Sequence, residues 1–239
     1  CAQRGLVYVV DNTMTSPYLF QPKSVGASLI INSLTKYIGG HGNVLGGAVT
    51  ETGRYDWAVF PNIYSEYQRG EPAKWGITQI RKKGLRDLGA SLGPEAAHHV
   101  AMGAETLALR VQRQSENAMA MCEFLHAHPK IKKVYYPGLA EHPQHARAGE
   151  LFRAFGGLFS FELQSDVDLW EFLNRLQVIV KSSNLGDNRT LAIPVAHTIY
   201  FEMGAERRAS MGIDESLIRI SSGIEDSEDL LADISAALE

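Results

Sequence analysis

Four polar side chains and one arginine stand where they could act together on a charged small molecule. Asp11 follows the apolar run Leu6-Val7-Tyr8-Val9-Val10, and Lys36 follows a second run, Ala27-Ser28-Leu29-Ile30-Ile31-Asn32. Read as strands, both runs deliver their polar residue to the carboxyl end of a sheet, where open α/β sheets place ligand sites. In the extended stretch Ser33-Leu34-Thr35-Lys36, alternate residues point the same way, so the two hydroxyls converge on one anion. Arg219 sits inside Leu217-Ile218-Arg219-Ile220-Ser221, where an unpartnered guanidinium is costly to bury and a bidentate carboxylate suits it best.

A carboxylate and an amine in one crevice match the demands of pyridoxal 5′-phosphate (PLP). The anion keeps the pyridine nitrogen protonated, and the lysine holds the aldehyde as a Schiff base. A phosphate is then the natural guest of Ser33 and Thr35, and the α-carboxylate of an amino acid the natural guest of Arg219. Plainer readings exist for each residue: Asp11 opening an Asx turn, Lys36 as a solvated strand-end lysine, and Arg219 on the wet face of an edge strand.

The elements that position these residues fall into two parts. Strands are expected at 6–10, 27–32 and 46–50 in one sheet, followed by loops and short helices over 51–93. A long helical stretch is expected from Pro94 to His128, with Gly103 as its kink and Pro129 as its stop. Strands at 131–136, 157–163, 177–181 and 216–221, with helices at 166–176 and 226–238, make an α+β unit. The boundary falls near 120–130.

The bulk properties exclude several classes. A chain of 239 residues, 45% hydrophobic and 21% charged, buries a sizeable core. A net charge of −4 offers no basic stripe to nucleic acid, and no segment is apolar enough for a membrane helix. The two cysteines suit a reducing compartment, and a cytoplasmic location is expected by default. None of the eight histidines has a recognised metal-ligand spacing, so no metal site is expected. No Gly-x-Gly-x-x-Gly follows the first strand, which argues against a dinucleotide-binding domain.

The text Val10-Asp11-Asn12-Thr13, Ser33-Leu34-Thr35-Lys36-Tyr37 and Gly39-Gly40-His41-Gly42-Asn43-Val44-Leu45-Gly46-Gly47, with the closing run Ser216 to Asp226, resembles the Cys/Met-metabolism PLP enzymes. That family includes cystathionine γ-synthase, cystathionine and methionine γ-lyases and O-acylhomoserine sulfhydrylases. The resemblance implies an α/β, aspartate-aminotransferase-like fold (PLP fold type I). Residues 1–125 would be the C-terminal part of the PLP-binding large domain, ending in a long helix, and 126–239 a small C-terminal α+β domain.

Carried over, Asp11 pairs with the pyridine nitrogen, Ser33 and Thr35 hold the phosphate, Lys36 is the catalytic and cofactor-linking lysine, and Arg219 clamps the substrate carboxylate. A homo-oligomer, dimer or tetramer, is implied as well. Family members are longer, and the region before the Asp11 strand completes their cofactor cup, so the 239 residues by themselves are expected to bind PLP poorly.

Asn184-Leu185-Gly186-Asp187 is similar to the Asn-x-Gly-Asp of O-acetylhomoserine sulfhydrylases and places Asn184 beside the substrate. The family's usual histidine- and hydroxyl-bearing loop is replaced by Pro194-Val195-Ala196-His197-Thr198-Ile199-Tyr200. The expected reaction is γ-replacement on an O-acylated homoserine with a thiol or sulfide. The alternatives are a methionine or cystathionine γ-lyase, or a catalytically silent family member or fragment. The segment 62–91, with Arg81-Lys82-Lys83, is expected either to cover the active site, to line a subunit contact, or to be a solvated basic loop.

Overall fold

The computed structural model describes residues 1–239. The three expected N-terminal strands form one mixed sheet: β1 (Val9–Asp11), β2 (Leu29–Ser33) and β3 (Gly47–Glu51), in that order. β1 runs parallel to β2, with Asp11 opposite Ile31, whereas β3 is antiparallel, with Gly47 opposite Ser33. β1 starts later than the apolar run and takes in Asp11 as its last residue. A continuous apolar run is the pattern of a strand buried on both faces, but β1 is not buried so. Register places Val9, Ile31 and Val49 on one face, where they stay 45%, 39% and 40% exposed.

Residues 52–93 form short turns and helical pieces, as expected. Trp57 anchors them, packing with Leu29 and Ile63 and donating from Nε1 to Glu51 Oε2 at 2.8 Å. Arg81, Lys82 and Lys83 are exposed, and the Lys83 amine stands 4.9 Å over the Tyr64 ring.

The long helical stretch is two helices, α1 (Pro94–Glu105) and α2 (Leu107–Ala127), parted at Thr106 rather than kinked at Gly103. Gly103 instead allows close contact: a Cβ there would lie 2.2 Å from the Gly39 carbonyl oxygen. One stripe of α2, including Val111, Ala118, Met121, Cys122 and Leu125, is buried at helical spacing.

The C-terminal elements are β4 (Ile131–Tyr135), β5 (Leu158–Leu163), α3 (Leu169–Arg175), β6 (Val180–Lys181), β7 (Leu191–Pro194), β8 (Leu217–Ser221) and α4 (Ser227–Leu238). Their sheet has the order β4-β5-β8-β7-β6. The strand expected over 177–181 shrinks to two residues because the Asp233 carboxylate accepts the backbone N–H groups of Gln177, Val178 and Ile179. β7 escapes a pattern search, since all four residues are buried and one is proline. Short helices at His145–Leu151 and Ala205–Ser210 were not expected either.

The main core lies between this sheet and α2 and α4. Phe159, Phe161, Ile218 and Ile220 meet Met121, Leu125, Leu230 and Ile234. Because Ile218 and Ile220 face that core, strand alternation turns Arg219 to the opposite face. Asp168 and Asp226 cap α3 and α4, accepting from the backbone N–H of Glu171 and Glu228.

Candidate active site

The carboxyl ends of β1 and β2 are stitched together by side chains. Asn32 Nδ2 donates to the Asn12 carbonyl at 3.0 Å, and the Ser33 N–H donates to Thr13 Oγ1 at 2.8 Å. Asp11 is exposed at this junction, and its Oδ1 accepts the Thr13 N–H at 3.0 Å, an Asx turn that occupies one carboxylate oxygen. Thr35 Oγ1 accepts the Gly46 N–H at 3.1 Å, while the Leu34 N–H donates to the Gly46 carbonyl at 2.9 Å. The stretch expected to be extended past Ser33 is instead a helical turn, Leu34–Ile38, so strand alternation does not align Thr35 with Ser33; these bonds lace that turn, which carries Lys36, to the chain leading into β3.

Lys36 reaches from that turn into a cleft of about 430 Å³, lined among others by Thr35, Asn43, Ser182, Ser183 and Asn184. Its Nζ donates to Asn184 Oδ1 at 2.6 Å. Burial, and then the nearby Arg219 guanidinium, hold the amine below the usual lysine range. A lowered lysine carries more of its free, nucleophilic form near neutrality.

The loop that brings Asn184 is fixed by two contacts. The Gly186 N–H donates to Ser221 Oγ at 2.8 Å, and Gly186 adopts φ +71° with no room for a side chain, since a Cβ would lie 2.6 Å from the Tyr37 nitrogen. Next to it, Asp187 is buried. Burial works against its carboxylate, but Arg189 donates from its backbone N–H, Nε and Nη2 and holds the group below the usual range.

Arg219 stands on β8, a central strand between β5 and β7, so the edge-strand reading does not describe it. Its Nη2 donates to the carbonyls of Ser183 at 2.9 Å and Asn184 at 3.1 Å, which places it directly behind the cleft. Its Nε is buried with no partner. Burial lowers its pKa, and no carboxylate of the chain pairs with it.

The structure therefore brings Lys36, Thr35 and Asn184 into one cleft with Arg219 behind it. Asp11 and Ser33 sit at the neighbouring strand ends, outside the cleft lining. Two buried residues that sequence reasoning passed over support the same place. Arg110 donates to the Tyr37 carbonyl, and Gln114 donates to the Asp187 carbonyl, at 2.8 and 2.7 Å. Their signal was a pair of polar residues four apart on the buried stripe of α2.

The donor set fits PLP: a depressed amine held by a neutral acceptor, a threonine hydroxyl beside it, and a guanidinium with a spare buried N–H.

Comparison with known proteins agrees with that chemistry. The family model for Cys/Met metabolism PLP-dependent enzymes matches residues 1–239. An O-acetyl-L-homoserine sulfhydrylase of Leptospira meyeri is 34% identical over 98% of this chain and 58% of its own length. An L-methionine gamma-lyase of Fusobacterium nucleatum subsp. polymorphum is 37% identical over 97% of this chain and 54% of its own. The crystal structure of a putative O-acetylhomoserine (thiol)-lyase from Campylobacter jejuni, containing N'-pyridoxyl-lysine-5'-monophosphate, superposes with a TM-score of 0.88 at 34% identity. The overlap covers 99% of this chain and 60% of that one. The chain spans little more than half the length of the curated relatives it matches.

Proposed function

Because the chain belongs to the Cys/Met metabolism PLP-dependent enzyme family, we propose that it carries the reactive lysine of a PLP enzyme that exchanges the γ-substituent of an O-acylated homoserine for a thiol or sulfide. The observation that carries this reading is the Lys36 amine, lowered in pKa and held at 2.6 Å by Asn184 inside an open cleft. We also propose the domain division: residues 1–125 as the C-terminal part of an aspartate-aminotransferase-like large domain, and 126–239 as its small α+β domain. A homo-oligomer in the cytoplasm fits this reading. No helix of the chain is long and apolar enough to cross a membrane.

In this reading Lys36 holds the PLP aldehyde, Ser33 and Thr35 hold its phosphate, and Asp11 keeps its ring nitrogen protonated through the carboxylate oxygen that the Asx turn leaves free. When bound, PLP supplies an electron sink for negative charge at the substrate α-carbon. The residues of the chain do the rest. Arg219 binds the α-carboxylate through a guanidinium that no carboxylate of the chain neutralises. Lys36 Nζ, once free, takes the α-proton and moves it, with Asn184 Oδ1 fixing its direction. The loop at 184–187, pressed against Tyr37, holds Asn184 in place beside the amine.

Replacement and elimination share these early proton transfers, so the outcome depends on whether the cleft admits a thiol and excludes water. The Asn184-Leu185-Gly186-Asp187 segment and the sulfhydrylase relative favour replacement, while the methionine γ-lyase relative supports elimination equally well. One assay separates them. Thiol-dependent consumption of O-acetylhomoserine supports the transferase, and release of an oxo acid and ammonia from methionine supports the lyase. Borohydride reduction with PLP should give an adduct at Lys36 that Lys36→Ala loses, together with about 100- to 10,000-fold of the rate. An adduct mapping to another lysine would rule out both.

A further inference from the structure

One buried side chain of α2, Arg110, hydrogen-bonds the turn that carries Lys36 to the α1–α2 junction. Arg110 is 4% exposed, forms no ion pair, and gives four N–H bonds to neutral oxygens. Nε donates to Thr106 Oγ1 at 3.0 Å, Nη1 to the Tyr37 carbonyl at 2.8 Å, and Nη2 to the carbonyls of Gly103 at 2.7 Å and Ile38 at 3.3 Å. A guanidinium buried without a carboxylate is expensive, and a planar fork that spans three carbonyls is a specific device. Burial lowers its pKa, with Asp187 opposing the effect.

Two glycines make the contact possible. Gly40, at φ +72°, lies so close that a Cβ would come within 2.1 Å of Arg110 Nη1, and Gly103 lets the Gly39 carbonyl press onto α1. The two peptides that follow Lys36 are thus held from below, while the lysine side chain extends to Asn184. The charge that acts on the Lys36 amine is that of Arg219, so Arg110 works through the backbone.

We propose that Arg110 is a positioning residue for Lys36: by clamping the Tyr37 and Ile38 carbonyls to the α1–α2 junction, it fixes the amine in the cleft against Asn184. The proposal rests on Lys36 being the reactive amine, but its test needs no turnover. Trinitrobenzenesulfonate labelling of Lys36, followed by peptide mass mapping over about pH 6 to 11, reads the protonation midpoint of the amine without PLP.

Releasing the turn lets Lys36 leave its partly buried place beside Arg219, so the midpoint should rise in Arg110→Lys, which keeps the charge and loses the fork. Thr106→Val, which removes one acceptor, should shift it less and in the same direction. For each unit of rise, PLP-adduct formation near pH 8 should fall about tenfold. Circular dichroism reports whether each variant folds.

An unchanged midpoint in folded Arg110→Lys overturns the proposal. Should that variant not fold, an unchanged midpoint in Thr106→Val overturns it instead. A midpoint that rises in the variants while the unaltered protein gives no borohydride-trapped PLP at Lys36 upholds the clamp and removes the functional reading alone.

Discussion

Lys36 Nζ and Asn184 Oδ1 lie 2.6 Å apart, joining the turn after β2 to the loop after β6 across 148 residues of sequence. An amide oxygen accepts from an amine whether or not the amine is charged. It therefore aims Lys36 without the strong preference for ammonium that a carboxylate would impose.

Asn184→Asp tests that distinction. A carboxylate at this distance favours the charged amine, so the Lys36 midpoint should rise by about 1–3 units. The free-amine form would then be scarce at neutral pH, and adduct formation with PLP should slow, recovering as pH is raised. Absorbance of the PLP complex against pH checks this. A midpoint at or below that of the unaltered protein would show that the 2.6 Å contact does not govern the amine.

Arg219 should affect both binding and titration. Its guanidinium opposes a charged Lys36, so Arg219→Gln should also raise the Lys36 midpoint, here by removing a like charge. The same variant leaves a substrate carboxylate without its partner, which costs about 2–5 kcal/mol, or about 30-fold and upward in KM. Steady-state kinetics on amino-acid substrates and the labelling titration read the two effects separately. A raised midpoint with unchanged KM would remove Arg219 from the substrate site.

The sequence disclosed what lies close together in it. Thr35 and Lys36 are adjacent in the text and share a cleft, whereas Asp11 and Ser33 are neighbours, as strand ends in one parallel pair must be, but lie outside its lining. The Lys36–Asn184 contact was not legible as a contact, since no local rule links a turn to a loop 148 residues on. Arg110 was invisible for a different reason: a polar residue in register with an apolar stripe reads as an interruption until its acceptors are known. The exposure of Val9 and Ile31 depends on what covers a sheet face, which an apolar run does not encode.

Gly186 carries a prediction about the same loop. At φ +71° an alanine costs about 1–3 kcal/mol by conformation alone, and its Cβ would also strike Tyr37. Gly212 shares φ +71° but has open space around it. Urea unfolding should therefore show Gly186→Ala to be more destabilising than Gly212→Ala, and only the former should weaken the Lys36 adduct. Equal losses in the two variants would mean that the loop does not bear on the lysine turn.

Asp233 is the clearest stability test away from the cleft. Its Oδ1 accepts from Gln177 at 2.7 Å, and its Oδ2 accepts from Val178 at 3.1 Å and Ile179 at 2.9 Å, so one carboxylate on α4 satisfies three successive N–H groups of the chain entering β6. Asp233→Ala should cost about 1–3 kcal/mol, chiefly the penalty of leaving the buried Ile179 N–H unpaired. Asp233→Asn has nearly the same shape, yet whichever way its amide turns, an NH2 faces at least one backbone N–H. Asparagine should therefore rescue little of the loss, and the comparison of the two by urea unfolding separates acceptor chemistry from packing. Full rescue by asparagine would show that side-chain volume at residue 233, and not its two acceptor oxygens, holds the segment 177–179 in place.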